Sequence, residues 1–276
     1  MSSAPQVVIS EEPSSSSSDD EWDIVAIKSQ KKILSLTNRV HSGKLGSSHP
    51  TADDFKYLLV KVEKTVEMLR QVFERERLWE RYAKYLGRFD CIRAYGIGSM
   101  ESSILSSFQF AMLVLLKKQT DACECYFYDP AASVADIEVI KKFGITYFPT
   151  DTLRVPDSSS RGEFMFMPHC DRTLYEWALA HRIQHEDTIF LSNFFSFYSI
   201  KHAIWHDLLS FFLEEPLMIF ATDYEREDRK PKIARKAIEI PFEAFNDLAF
   251  VTLAAGNIHE IADVIRCEPE WCRKLD

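Results

Sequence analysis

Residues 91–130 read CIRAYGIGSMESSILSSFQFAMLVLLKKQTDACECYFYDP, and the order of patterns inside them decides the fold. Cys91–Ile97 (CIRAYGI) is a short apolar, β-rich run. Two glycines punctuate its end. Glu101–Lys118 follows with Ile104, Leu105, Phe108, Ala111, Met112 and Leu115 on one side of a helix, and Cys125–Tyr128 (CYFY) is a second strand closed by Asp129-Pro130. A strand, a helix of more than ten residues and another strand form a βαβ unit, whose strands must run parallel.

The alternation continues outward. Ser133–Phe143 reads as a helix stopped by Gly144, Ile145–Phe148 as a third strand, and Glu163–Met167 (EFMFM) as a fourth ended by Pro168. Leu174–Ile183 reads as a helix and Thr188–Leu191 (TIFL) as a fifth strand ended by Ser192-Asn193. Tyr198–Leu213 is helical in pattern, Leu217–Phe220 suits a sixth strand, and Leu248–Leu253 (LAFVTL) reads as a last, edge strand. On the N-terminal side, Phe55, Leu59, Val62, Val66, Leu69 and Phe73 recur at helical steps, and the rhythm runs through Leu78, Tyr82 and Leu86 to Gly87. The expected architecture is α/β: a Rossmann-like, mostly parallel sheet with helices on both faces, preceded by a long N-terminal helix.

The chain has 276 residues, 46% apolar and 27% charged, with a net charge of −9. That acidic balance argues against direct nucleic-acid binding, which needs clustered Lys and Arg. No run approaches the ~18 apolar residues of a membrane helix, so no membrane partner is expected. Residues 1–50 hold the Ser14–Ser18 tract, acidic residues on both its sides and a glycine- and serine-rich stretch; they read as a disordered, charged tail. Residues 53–266 read as a single α/β domain, with its motifs at 90–200. The acidic, Ser-rich start is unlike a signal peptide. Six cysteines (Cys91, Cys123, Cys125, Cys170, Cys267, Cys272) keep no disulfide rhythm, which predicts reduced thiols and a cytoplasmic, also nuclear, protein.

In a parallel sheet, ligands bind beyond the carboxyl ends of the strands, so the strand ends are the candidate site. Gly96 and Gly98 with Ser99 begin like a dinucleotide loop, but Glu101 holds the place of the third glycine. A carboxylate in a first helical turn suits the helix dipole and repels a diphosphate. This leaves either a nucleoside without phosphates there, such as S-adenosylmethionine, or a plain turn capped by Ser99. Asp129 can accept from ribose hydroxyls, or close an Asx turn with Pro130. Pro168 fixes the backbone before His169 and Cys170, which offer acid/base chemistry, a haem or metal ligand, or a capping turn. Ser192 and Asn193 complete the set as a ligand contact or a cap. The His181/His185 and His202/His206 pairs lack the neighbouring Glu of an HExxH site and read as solvated helix faces, so no metal site is expected.

Tyr95-Gly96-Ile97-Gly98-Ser99, Tyr128-Asp129-Pro130, Met167-Pro168-His169-Cys170 and Leu191-Ser192-Asn193 together resemble, in order, the motifs of the Sensitivity-to-Red-light-Reduced (SRR-like) domain family. Glu21-Trp22-Asp23-Ile24-Val25 followed by lysines is similar to the head of its animal and plant members. The resemblance implies a regulatory protein, with roles in the circadian clock and in the regulation of haem biosynthesis in animals, and regulatory protein partners. It brings no settled reaction; haem or a nucleoside are the small ligands it leaves open.

Overall fold

The computed structural model describes residues 52–87, 89–120, 122, 124–149, 162–182, 187–199, 209–219, 240–254 and 261. The tail at 1–50, and His185, His202 and His206, lie outside them.

Among the described residues seven strands form one sheet: β1 (Cys91–Tyr95), β2 (Glu124–Tyr128), β3 (Thr146–Tyr147), β4 (Glu163–Met167), β5 (Ile189–Asn193), β6 (Phe212–Pro216) and β7 (Leu248–Leu253). Their order is β3-β2-β1-β4-β5-β7-β6. The first five strands are parallel, and β7 runs antiparallel to both β5 and β6. The described helices are α1 (Ala52–Arg75), α2 (Leu78–Arg81), α3 (Ile104–Gln119), α4 (Val134–Lys142), α5 (Arg172–Arg182) and α6 (Ser196–Ser199). The fold is thus α/β and mostly parallel, with the long N-terminal helix in front.

Alternation along the strands sorts side chains into two cores. Ile92, Ala94, Phe127, Phe164, Phe166 and Leu191 pack with apolar residues of α1, α3 and α4. Tyr95, Met165, Met167 and Phe190 pack on the other face with Tyr175, Trp177 and Ala178 of α5. With helices covering both faces, β1 and β4 are buried at every position, as continuous apolar strands of a parallel sheet require. Burial of each large aromatic side chain contributes about 1.5–3 kcal/mol.

Several expected boundaries move, each for a local reason. α3 begins at Ile104 rather than Glu101 because Ser103 is its cap, accepting from the Ser106 N–H at 3.2 Å. Glu101 therefore sits in the loop and not in a helical turn. The N-terminal helix does not run unbroken to Leu86: Arg77 adopts a left-handed φ of 52°. The break turns Tyr82 and Tyr85 toward β6, where the Tyr82 hydroxyl donates to the Pro216 carbonyl at 2.9 Å and the Tyr85 hydroxyl to Glu215 at 2.7 Å. β6 begins at Phe212, before the expected Leu217–Phe220; Leu217 and Ile219 are buried beyond its end, and the Leu217 N–H still donates to the Leu248 carbonyl of β7 at 2.8 Å. β7 is not an edge: it lies between β5 and β6, and β3 and β6 close the sheet. Ser192 and Asn193 belong to β5 itself.

Candidate functional site

Strand order reverses between β1 and β4, since β2 and β3 continue to one side and β5 to the other. The crevice outside the carboxyl ends at such a switch point is where open α/β sheets take ligands. The segments after β1, β2 and β4 and the end of β5 all face this rim, and they are tied to one another.

Gly96 and Gly98 have φ of 70° and 81°. That left-handed region costs a residue with a Cβ about 1–2 kcal/mol. Each glycine also meets a neighbour. A Cβ on Gly96 would lie 2.5 Å from Cys170 Sγ, and one on Gly98 would lie 2.8 Å from Ser106 Oγ. The loop after β1 is therefore folded tightly against the turn after β4 and the start of α3.

Asp129, at the end of β2, is buried. Its Oδ2 accepts from the Gly98 N–H at 2.6 Å and its Oδ1 from the Ala131 N–H at 2.7 Å. Burial pushes its carboxyl above the usual carboxylate range, and those two amides oppose the shift. Pro130 is exposed beside it. Sequence reading missed the second carboxylate, Asp136. Fully buried at the start of α4, it accepts from the Glu101 N–H at 3.0 Å and the Ser133 N–H at 2.8 Å. The Ser133-x-x-Asp136 capping box, in which Ser133 Oγ accepts from the Asp136 N–H, is a legible signal for it. Lys61 of α1 donates to the Met100 carbonyl at 2.7 Å. Burial lowers its pKa, with Asp136 and Glu101 acting against the shift.

Pro168 is buried and His169 adopts a left-handed φ of 53°. The His169 N–H donates to Asn193 Oδ1 at 3.0 Å, joining the β4 turn to the end of β5. Tyr175 braces the same junction: its hydroxyl donates to the Met167 carbonyl at 2.6 Å and accepts from the Asn193 N–H at 3.2 Å. Ser192, buried in β5, donates to the carbonyl of Asn193 at 3.1 Å. Ser99 and Asn193 are half-buried at the rim, and Glu101 is exposed on it.

His169 is exposed as a residue, but its ring leans on the loop before β7. Desolvation there lowers the imidazole pKa, while the backbone carbonyls of Ala244 and Glu243 and the charge of Asp247 partly restore it. The folded protein thus holds fewer protons than the unfolded chain, and the stability His169 contributes is complete above the ordinary value of 6.5 and lost as the pH falls through it. We expect His169→Asn, whose side chain tolerates left-handed backbone, to weaken the acid-side fall in melting temperature across that window. Melting curves of both proteins on either side of it measure the difference; parallel curves would remove His169 from the pH dependence.

Cys170 is buried, with Sγ 3.5 Å from the Tyr95 carbonyl. Burial pushes its thiol well above the ordinary range. A protonated thiol sealed against Gly96 is a poor nucleophile and a poor axial ligand. With the His169 ring turned to the 243–244 carbonyls, neither residue suits haem. Among the described residues no group of three His, Cys, Asp or Glu side chains can hold a metal ion, and no helix is long and apolar enough to cross a membrane.

A family model described as the SRR1 domain matches residues 65–252, a span that includes β1 to β6 and all of β7 but its last residue. A mouse SRR1-like protein is 30% identical over 83 residues, covering 29% of this chain and 33% of the mouse protein. No solved structure matches. The domain match takes in the four linked strand ends together with the sheet that aligns them, and on that ground the chain belongs to the SRR1 domain family.

Proposed function

We propose that this chain is a regulatory SRR-like protein that holds a small, nucleoside-type ligand outside the carboxyl ends of the strands at the switch point between β1 and β4. The carrying observation is that Gly96 and Gly98, both left-handed, line the switch point of a parallel sheet with a buried carboxylate, Asp129, beside them. Each carboxylate oxygen has a second lone pair, so Asp129 can accept a sugar hydroxyl without giving up the Gly98 N–H. Binding is favoured over turnover because the groups with chemical potential at the rim are engaged: Asp129 by two amides, the His169 ring by backbone carbonyls, and Cys170 by its packing. Haem is disfavoured for the reasons given above. Roles in the circadian clock and in the regulation of haem biosynthesis, regulatory protein partners, and a cytoplasmic and nuclear location rest on the family resemblance and belong to the same reading.

A second reading has one observation in its favour. The order β3-β2-β1-β4-β5-β7-β6 with an antiparallel β7 is the strand plan of sheet-type methyltransferases. That is a fold-level analogy, and it makes S-adenosylmethionine the first ligand to try.

A thermal-shift screen with S-adenosylmethionine, nucleosides, NAD and hemin tests the proposal. A nucleoside ligand at about 100 times its Kd should add about 2.7 kcal/mol of apparent stability. Stabilisation by hemin with no response to any nucleoside would reverse the assignment. No response to any of them would leave the rim as structural bracing alone. Consumption of S-adenosylmethionine in the presence of cell extract would favour the enzyme.

A further inference from the structure

In dinucleotide-binding sheets the amides of the loop after β1 and of the helix N-terminus receive the phosphates. Here the chain supplies its own anions to that loop. Asp129 takes the Gly98 N–H at 2.6 Å and Asp136 takes the Glu101 N–H at 3.0 Å. Both carboxylates are buried, and each is held from its own side by a further amide, of Ala131 and Ser133 respectively. They come from the segments after β2, so the occupancy is built into the sheet and not into one mobile side chain. Glu101 adds a third carboxylate, exposed on the same loop. Lys61 of α1, whose charge feels those of Asp136 and Glu101, donates to the Met100 carbonyl at 2.7 Å.

From this we infer that the crevice selects nucleosides without a phosphate at the 5′ position and rejects the corresponding nucleotides, with Asp129, Asp136 and Glu101 as the determinants. The inference rests on the nucleoside reading and narrows it. A phosphate entering the loop meets amides already donated to carboxylates, and those carboxylates repel it. An uncharged or cationic nucleoside meets no such repulsion, and its ribose can use the spare lone pair of Asp129.

The test is isothermal titration of the full chain with adenosine, guanosine, cytidine and uridine, each against its 5′-monophosphate, and with S-adenosylmethionine. At least one phosphate-free compound should bind, with its monophosphate weaker by about tenfold or more, the scale of one like-charge contact near a protein surface. Glu101→Gln removes the exposed charge while leaving the loop amide that Asp136 holds, and it should narrow that ratio severalfold. A monophosphate that binds as tightly as its nucleoside would overturn the inference while leaving the nucleoside reading in place. A ratio unchanged in Glu101→Gln would overturn the assignment of the rejection to charge on the loop. No binding by any compound would overturn both the inference and the reading it rests on.

Discussion

Glu163→Ala should destabilise the protein by about 3–5 kcal/mol, the cost of leaving one member of a buried ion pair without its partner. Glu163 on β4 accepts from Arg93 Nε on β1 at 2.9 Å, with side chains only 3% and 2% exposed. The Cys91 thiol donates to the same oxygen at 3.3 Å, and the guanidinium lies 5.1 Å from the Tyr126 ring centroid. Urea unfolding of the single variant gives the loss. The paired replacement Arg93→Met with Glu163→Met removes both charges and fills similar volume, so it should recover to within about 1 kcal/mol of the parent protein. A single variant losing less than about 1 kcal/mol would mean that the guanidinium finds another arrangement.

The position of this pair gives it a second consequence. It bridges the two strands on either side of the switch point, in the register Cys91↔Glu163. A slip of β1 by one residue would carry Arg93 to the face covered by α1 and α3, against Phe127, Phe164 and Phe166 of the neighbouring strands. The pair therefore specifies which β4 residue ends opposite Gly96, and so which residues meet at the rim. The double methionine variant should fold with nearly full stability if the apolar alternation alone can hold the register, and loss of cooperative unfolding in it would assign the register to this pair.

The parallel core was legible because its signal is local. CIRAYGI, CYFY, EFMFM and TIFL are short β-rich runs separated by helical patterns, and a βαβ alternation leaves few topologies. The rim was legible for the same reason, since the ends of parallel strands must share one edge. Legibility failed where distant residues decide. Leu248–Leu253 reads as an edge strand from its composition, yet it enters between β5 and β6. Its neighbours are set by pairing across more than thirty residues, which no window contains. The helical rhythm through Leu78 and Tyr82 is real, but the hydroxyl contacts to Pro216 and Glu215 outweigh it and break the helix at Arg77. From sequence the strand ends offer either ligand contacts or caps, and the Asx turn that Asp129 makes with the Ala131 N–H is among those readings. Asp129, His169 and Asn193 bind backbone amides and carbonyls of neighbouring segments, and only the packed sheet reveals those partners. Asp136 could have been found from its capping box; Tyr175, whose hydroxyl serves two backbone groups eight and eighteen residues away, could not.

Gly96→Ala isolates the contact that joins the two halves of the rim. Two costs should add. Alanine at a φ of 70° carries about 1–2 kcal/mol of left-handed strain, and its Cβ, 2.5 Å from Cys170 Sγ, forces overpacking of about 1–3 kcal/mol. The expected loss is about 2–5 kcal/mol in chemical unfolding. Cys170→Ala separates the two. With Sγ gone, the nearest atoms to the new methyl are the Pro168 carbonyl at 3.7 Å and the Cys170 Cβ at 3.8 Å, ordinary van der Waals distances. The double variant should thus recover the overpacking and keep the strain, giving a coupling of about 1–3 kcal/mol in a double-mutant cycle. If the two losses simply add, the loop after β1 and the turn after β4 are not in contact in solution. A coupling of that size identifies the Cys170 thiol as a packing contact that joins the two sides of the rim.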